Sequence, residues 1–264
     1  MPELPEVECV RRALAGVLPG RTIRKTEVFA PAMRTPLLPL LSAGLEGHCF
    51  TEVLRRGRYL RLMLDDGRGL LAHLGMSGVI RVEAAAVPKR KHEHVFLHLD
   101  KDLLFRFECP RRFSIFEIAD FPVLGPEPLT DDFDGAYFHR MSRGRKGALK
   151  NFLMDNLIVT GVGNIYATEA LWMAGLSPER TPESVSKRKC GELVAAVKEV
   201  LQSAIESGGS TLHDYRHVDG SEGQFAVQLQ IYGRAGDRCP RCGAVICKKV
   251  IGGRGSAYCP KCQK

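Results

Sequence analysis

The chain predicts an α+β protein of several parts: a leading helix and a β-rich unit, then a helical module, then a short C-terminal hairpin closed by four cysteines. Three observations predict it. Short β-like runs recur at roughly ten-residue intervals up to Ile118, helical periodicity replaces them after Asp120, and the last 26 residues carry C-x2-C, sixteen residues, C-x2-C.

The elements follow in order. Pro5 suits the first turn of a helix, Glu6 and Glu8 complement its positive end, and Val7, Val10, Leu14 and Val17 make an apolar stripe. Strands are predicted over Thr22–Phe29, His48–Arg55, Arg58–Leu64, Leu70–Leu74, Val79–Val82, His94–Leu99, Leu103–Phe107 and Phe113–Ile118, with turns at Asp65-Asp66-Gly67 and Asp100-Lys101-Asp102. Eight strands so spaced indicate a sandwich or a barrel. Gly125-Pro126-Glu127-Pro128 and the polar run to Arg145 read as a linker. Helices are predicted over Gly147–Asn156, Ile165–Ala174 and Lys187–Ser207, the last stopped by Gly208-Gly209. The turn Val159–Asn164 carries two glycines and places Asn164 at the cap of a new helix, where exposed amides can hold a phosphate. Helix-turn-helix pairs also serve as plain packing units, so the turn alone does not decide for DNA.

Composition bounds the function. A chain of 264 residues with 44% hydrophobic content can bury a core. No run approaches the roughly 18 apolar residues of a membrane span, and the acidic start lacks the features of a signal peptide. A cytoplasmic protein without membrane contact is expected. Between Ile231 and Lys264 eight Lys and Arg residues face Asp237 alone, so seven of the net +8 charges sit in this tail. That concentration suits a polyanion, although a solubilising tail has the same composition.

Nine cysteines cannot all pair within one chain. Cys239, Cys242, Cys259 and Cys262 have the spacing of two knuckles that present four thiolates to one Zn²⁺. Redox pairs are the alternative, but the surrounding βαβ pattern is lacking. With four thiolates engaged the metal has no open position, so the ion is structural. Ala244–Ile246 and Gly252–Gly255 read as strand and turn, with Arg254 at the turn, where a guanidinium can fork onto a phosphate.

The N-terminus carries the remaining chemistry. Removal of Met1 before the small Pro2 leaves a secondary amine, which titrates near ~8 rather than the ~10.4 of lysine and is a competent nucleophile. Attack on a sugar C1′ can form an iminium that acidifies the C2′ proton, and Glu3 and Glu6 lie beside it as acid and positioning group. On these residues alone, a good helix start is the favoured account of Pro-Glu-Leu-Pro-Glu, ahead of a catalytic terminus.

The opening Met1-Pro-Glu-Leu-Pro-Glu-Val-Glu8 resembles the formamidopyrimidine-DNA glycosylase family, as do His73–Gly78, Pro110–Phe113, Leu124–Leu129, Leu153–Asp155, Gly161–Tyr166, Gln230–Gly233 and the four cysteines. The resemblance implies an N-terminal β-sandwich domain with a leading helix over residues 1–130, a helix-two-turn-helix domain over 131–228 and a zinc-finger hairpin over 229–264. It implies a monomer, without nucleotide cofactor, that removes oxidised purines from duplex DNA and cuts the strand by β,δ-elimination. Pro2 would be the Schiff-base nucleophile, Glu3 the acid and Glu6 its support, with Arg58 and Arg254 at the catalytic phosphates. His73, Asn164, Arg254 and Lys150 would grip DNA. Met76, Arg111 and Phe113 would fill the gap left by the flipped nucleotide, Arg111 reading the orphaned cytosine. Residues 216–225 correspond to a loop that covers the flipped base.

The chain departs from the family in places. Arg58 stands for a usual lysine, Cys9 replaces a common threonine, and Cys109 and Ser114 flank Pro110–Phe113 where the common pattern has Asp and Gly, which bears on how that loop is held. Oxidised pyrimidines, the preference of a sister branch, are disfavoured by Leu4. A lesion binder that does not cut is disfavoured by intact Pro2, Glu3 and Glu6.

Overall fold

The computed structural model describes residues 2–209 and 229–264; the loop read over residues 216–225 lies outside them. All eight strands form close to the expected bounds: β1 (Ile23–Val28), β2 (Phe50–Arg56), β3 (Tyr59–Leu64), β4 (Gly69–His73), β5 (Val79–Ala84), β6 (Glu93–Leu99), β7 (Leu103–Glu108) and β8 (Ile115–Ile118). They make two antiparallel four-stranded sheets, ordered β1-β6-β7-β5 and β2-β3-β4-β8. Period-two patterning drives this. In β3, Leu60, Leu62 and Leu64 point into a core where they join Val95, Leu97, Phe105 and Phe107 of the other sheet. Across that core Phe116 of β8 packs at 5.6 Å from Phe105 and 5.4 Å from Phe107. The unit is a sandwich rather than a barrel.

Helix α1 (Leu4–Ala15) opens the chain and buries Val7, Val10 and Leu14 in the same core. Truncating one such residue costs about 2–5 kcal/mol, so packing fixes the helix start firmly. The tight turns are those the sequence indicates: Gly67 (φ 84°) before β4, and Lys101 and Asp102 (φ 58° and 54°) between β6 and β7.

The chain divides into two compact units: the first runs to Pro122 and takes back Gly208 and Gly209, and the second holds Val123–Ser207 and the described residues from 229 to Lys264. The Gly125–Pro128 stretch is therefore not a linker, and the break falls earlier than residue 130. Gly125 donates to Asn156 O at 2.7 Å and Pro126 O accepts from Thr160 N–H at 3.1 Å, so this segment is hydrogen-bonded into the second unit. The run beyond it also holds an unforeseen helix, α2 (Gly135–Ser142), capped by Asp134 on Tyr137 N–H; its short apolar stripe was masked by polar neighbours.

The expected helix over Gly147–Asn156 is shorter, α3 (Leu149–Leu153), followed by α4 (Asn164–Met173) and α5 (Lys187–Glu206). Helix α4 is buried from Ile165 to Trp172 and forms the centre of this unit. The hairpin strands β9 (Cys247–Ile251) and β10 (Arg254–Tyr258) begin later than Ala244, and Arg254 opens β10 rather than occupying the turn, which Gly252 and Gly253 (φ 57° and 74°) form. Trp172 of α4, Ile231, Ile246 and Ala257 share a small core with Cys239 and Cys259, so hairpin and helices belong to one compact unit. Among the described residues no helix is long and apolar enough to cross a membrane.

Candidate nucleic-acid interface and zinc centre

The start of α1 is a capping box built from two carboxylates. Glu3 caps the helix and its side chain accepts from the backbone of Glu6, while Glu6 Oε2 accepts from Glu3 N–H at 2.8 Å. Glu3 is 3% exposed and Glu6 fully buried, and Pro2 is buried beside them. Backbone donors and the positive helix end make two buried carboxylates tolerable here. Glu3 and Glu6 are thus held together by reciprocal hydrogen bonds, directly after buried Pro2.

A second set of charges anchors the turn that carries Arg58. Glu8 bonds Arg11, Arg12 and Arg55, the last at 2.8 Å, and Arg55 Nη1 donates to Gly57 O at 3.1 Å. Burial opposes ionisation of Glu8, but bonds from Arg11, Arg55 and Arg12 hold its pKa down at about 2. Gly57 (φ 56°) and Arg58 form a two-residue turn between Arg56 and Tyr59, and Tyr59 pairs across the sheet with His73.

His73 Nδ1 accepts from Gly75 N–H at 3.0 Å, and its ring packs 4.7 Å from Tyr59. Burial, then the charges of Arg58 and Arg34, push its pKa down to about 4. The ring is neutral at physiological pH, and with Nδ1 accepting, its proton sits on Nε2. It can donate to a phosphate without adding charge.

Met76 and Phe113 are 41% and 53% exposed on two adjacent loops, so their apolar side chains are open to a partner. Arg111 is exposed between them, with Nη1 3.9 Å from Met76 Sδ. Arg112 takes a left-handed conformation (φ 54°), which turns the chain so that Arg111 and Phe113 both reach outward.

In the second unit Gly163 is the cap of α4 and Asn164 its first residue, so the helix starts one position earlier than expected. Asn164 Nδ2 donates to Gly255 O at 3.2 Å, joining the helix start to β10. Lys150 is not a surface cation. It is fully buried, and Nζ donates to Asn164 Oδ1 and Ser256 Oγ, both at 2.6 Å. Its spacing in the sequence could not distinguish a buried ammonium from an exposed one. Ser256 Oγ in turn donates to Arg254 O at 3.2 Å, and the turn before Arg254 rests on Asn151, where a Cβ on Gly252 would come within 2.3 Å of the Asn151 side chain. Asn164, Lys248, Tyr232 and Gly233 line a cleft of roughly 280 Å³ beside this cluster.

Sequence reasoning missed Glu169. This buried carboxylate of α4 accepts N–H groups from Gln230 (3.0 Å), Ile231 (2.9 Å) and Tyr232 (2.7 Å), and fixes the segment leading into the hairpin. The run Ile165–Trp172 around it is otherwise mostly apolar, so an acid within it was the available signal.

The four hairpin cysteines converge, with all four Sγ atoms within 4.8 Å of one another. The Cys239–Cys262 and Cys242–Cys259 separations are 4.0 and 3.5 Å. These bracket the ~3.8 Å edge of a tetrahedron with Zn–S bonds near ~2.3 Å. Burial raises the Cys239 thiol, yet N–H groups of Arg241 and Cys242 hold it below its ordinary value. The donor set fits one structural zinc.

Family models match three stretches: a formamidopyrimidine-DNA glycosylase N-terminal domain over residues 1–116, the H2TH domain of the same enzymes over 124–216, and a zinc finger found in FPG and IleRS over 236–264. A formamidopyrimidine-DNA glycosylase of Alteromonas mediterranea is 46% identical, covering all of both chains. A Lactococcus lactis FPG mutant, solved with DNA containing Fapy-dG, superposes with a TM-score of 0.92 at 34% identity over all of both chains. A MutM structure in complex with DNA containing carbocyclic 8-oxo-G gives 0.91 at 34% identity, again over all of both chains.

Proposed function

The chain belongs to the formamidopyrimidine-DNA glycosylase family, and from that premise we propose how its own residues carry out the reaction. It is a base-excision repair enzyme that removes oxidised purines from DNA and cleaves the strand at the resulting abasic site, with one structural zinc. The observation that carries the assignment of roles is the capping box that holds buried Glu3 and Glu6 beside Pro2.

With Met1 removed, the Pro2 nitrogen attacks C1′ as the glycosidic bond breaks; the bond's electron pair leaves with the base, which takes up the proton that the amine then loses. Glu3 gives a proton to the ring oxygen, the sugar opens, and the nitrogen lone pair completes an iminium. Loss of a C2′ proton then expels the 3′ phosphate, a second elimination expels the 5′ phosphate, and water releases the enzyme. Glu6 holds Glu3 N–H and so keeps the terminus in register. Arg58, neutral His73, Asn164 and Arg254 bind phosphates, with Lys150 orienting Asn164 from within. Met76, Phe113 and Arg111 enter the duplex, where the wedge offsets part of the few kcal/mol that flipping costs.

Residues 1–122 form the catalytic part on this reading, and the helix-two-turn-helix and hairpin segments the DNA-gripping part. The protein acts as a monomer on double-stranded DNA in the bacterial cytoplasm. Borohydride, which reduces an iminium to a stable adduct, tests the proposal. Duplex with 8-oxoguanine opposite cytosine should trap on the wild-type protein and not on Pro2→Gly. Trapping only on oxidised pyrimidines, or binding without trapping, would overturn it.

A further inference from the structure

Cys109 and Ser114 flank the Arg111–Phe113 tip, and both are fully buried. Ser114 Oγ lies 2.8 Å from Leu74 O and 2.9 Å from Cys109 Sγ. A hydroxyl has one proton. Given to the Leu74 carbonyl, it leaves the oxygen to accept the thiol S–H. Leu74 heads the loop that carries Met76, and its carbonyl also accepts Gly78 N–H at 2.8 Å. Ser114 O takes the Arg34 N–H at 3.0 Å, so one residue ties three loops.

The two loops touch through their backbones. Gly75 is left-handed (φ 61°), and a Cβ there would lie 2.6 Å from Phe113 O. A Cβ on Gly78 would lie 2.4 Å from Ser114 Oγ, so the hydroxyl fills the space that glycine leaves. Cys109 is itself anchored: its N–H donates to His92 O at 2.9 Å and its carbonyl meets His94 Nε2 at 3.0 Å.

We propose that the Ser114 hydroxyl, seated against the Cys109 thiol, is a positioning residue that sets the spacing of the Met76 loop and the Arg111–Phe113 loop, and so tunes reading of the base opposite the lesion. It rests on the assignment of Arg111 to that base. The hydroxyl replaces, at this position, the glycine of the common family pattern, and the latch is therefore a property of this chain.

The test is the ratio of 8-oxoguanine excision opposite cytosine to that opposite adenine, in single turnover. Ser114→Ala and Ser114→Gly should lower the ratio about threefold to tenfold, the scale of one lost hydrogen bond. Cys109→Ala should lower it less, and Cys109→Ser, which keeps a donor to Oγ, should restore it. Borohydride trapping on abasic-site duplex should stay within about twofold for the Ser114 and Cys109 variants, since a misfolded protein would lose both readouts. An unchanged ratio in Ser114→Ala overturns the latch. An unchanged ratio in Arg111→Ala overturns instead the assignment on which the latch rests.

Discussion

Lys150 Nζ donates to Asn164 Oδ1 at 2.6 Å from a fully buried position, so the amide at the start of α4 is oriented by a cation that does not itself reach the surface. Because the ammonium also holds Ser256 of β10, it couples the helix start to the strand that carries Arg254.

That coupling is measurable. Lys150→Met should weaken binding to abasic-site duplex about tenfold, and Asn164→Ala by a similar factor, yet the double variant should lose little more than either. A double-mutant cycle by fluorescence anisotropy reads this. Additive losses would mean that the two residues act on DNA independently.

His73 and Arg254 should differ in salt dependence. Arg254→Ala should flatten the slope of log K against log salt by about 0.9, as expected for one cation removed from a phosphate. His73 is neutral above its pKa of about 4, so His73→Ala should weaken binding with the slope unchanged, and its contribution should be flat between about pH 5 and 8. A slope that falls in His73→Ala would show an imidazolium instead.

Acid sensitivity should concentrate at Glu8. Its pKa of about 2 lies below the ordinary 4.5, so its ion pairs stabilise the fold fully above pH ~4.5 and are lost as pH falls toward 2. The linked stability is on the order of 3 kcal/mol. Urea melts of Glu8→Gln should be less stable near neutrality and flatter across that window; a parallel acid limb would contradict the assignment.

Metal removal should act locally. Chelation should unfold the segment of some 30 residues around Cys239–Cys262, free four reactive thiols and lower DNA affinity at least about tenfold, while the β-sheet signal of the sandwich persists. Unchanged affinity after metal loss would remove the hairpin from the interface.

Much of this was legible in the chain because periodicity and turn chemistry are local. All eight sandwich strands and the left-handed Gly67, Lys101 and Asp102 turns are where alternation and turn residues place them. The cysteine spacing likewise sufficed for the zinc centre. Relationships made by tertiary packing were not legible. Lys150 looks like any surface lysine until α4 and β10 close over it, and Glu169 is an acid in an apolar run until three amides arrive from 62 residues away on average. Gly125–Pro128 has linker composition, yet its backbone hydrogen bonds commit it to the second unit. The Cys109–Ser114 contact spans a loop whose pattern had only shown that two common residues were missing.

The central claim is that the terminal nitrogen of Pro2 is the atom that bonds the sugar. Peptide mapping by mass spectrometry of the borohydride-reduced adduct tests it most directly. The account predicts Met1 absent and the sugar remnant on the Pro2 peptide, at its amino end. A remnant on a lysine, or an acylated or Met1-bearing terminus in protein that still cuts the strand fully, would contradict it.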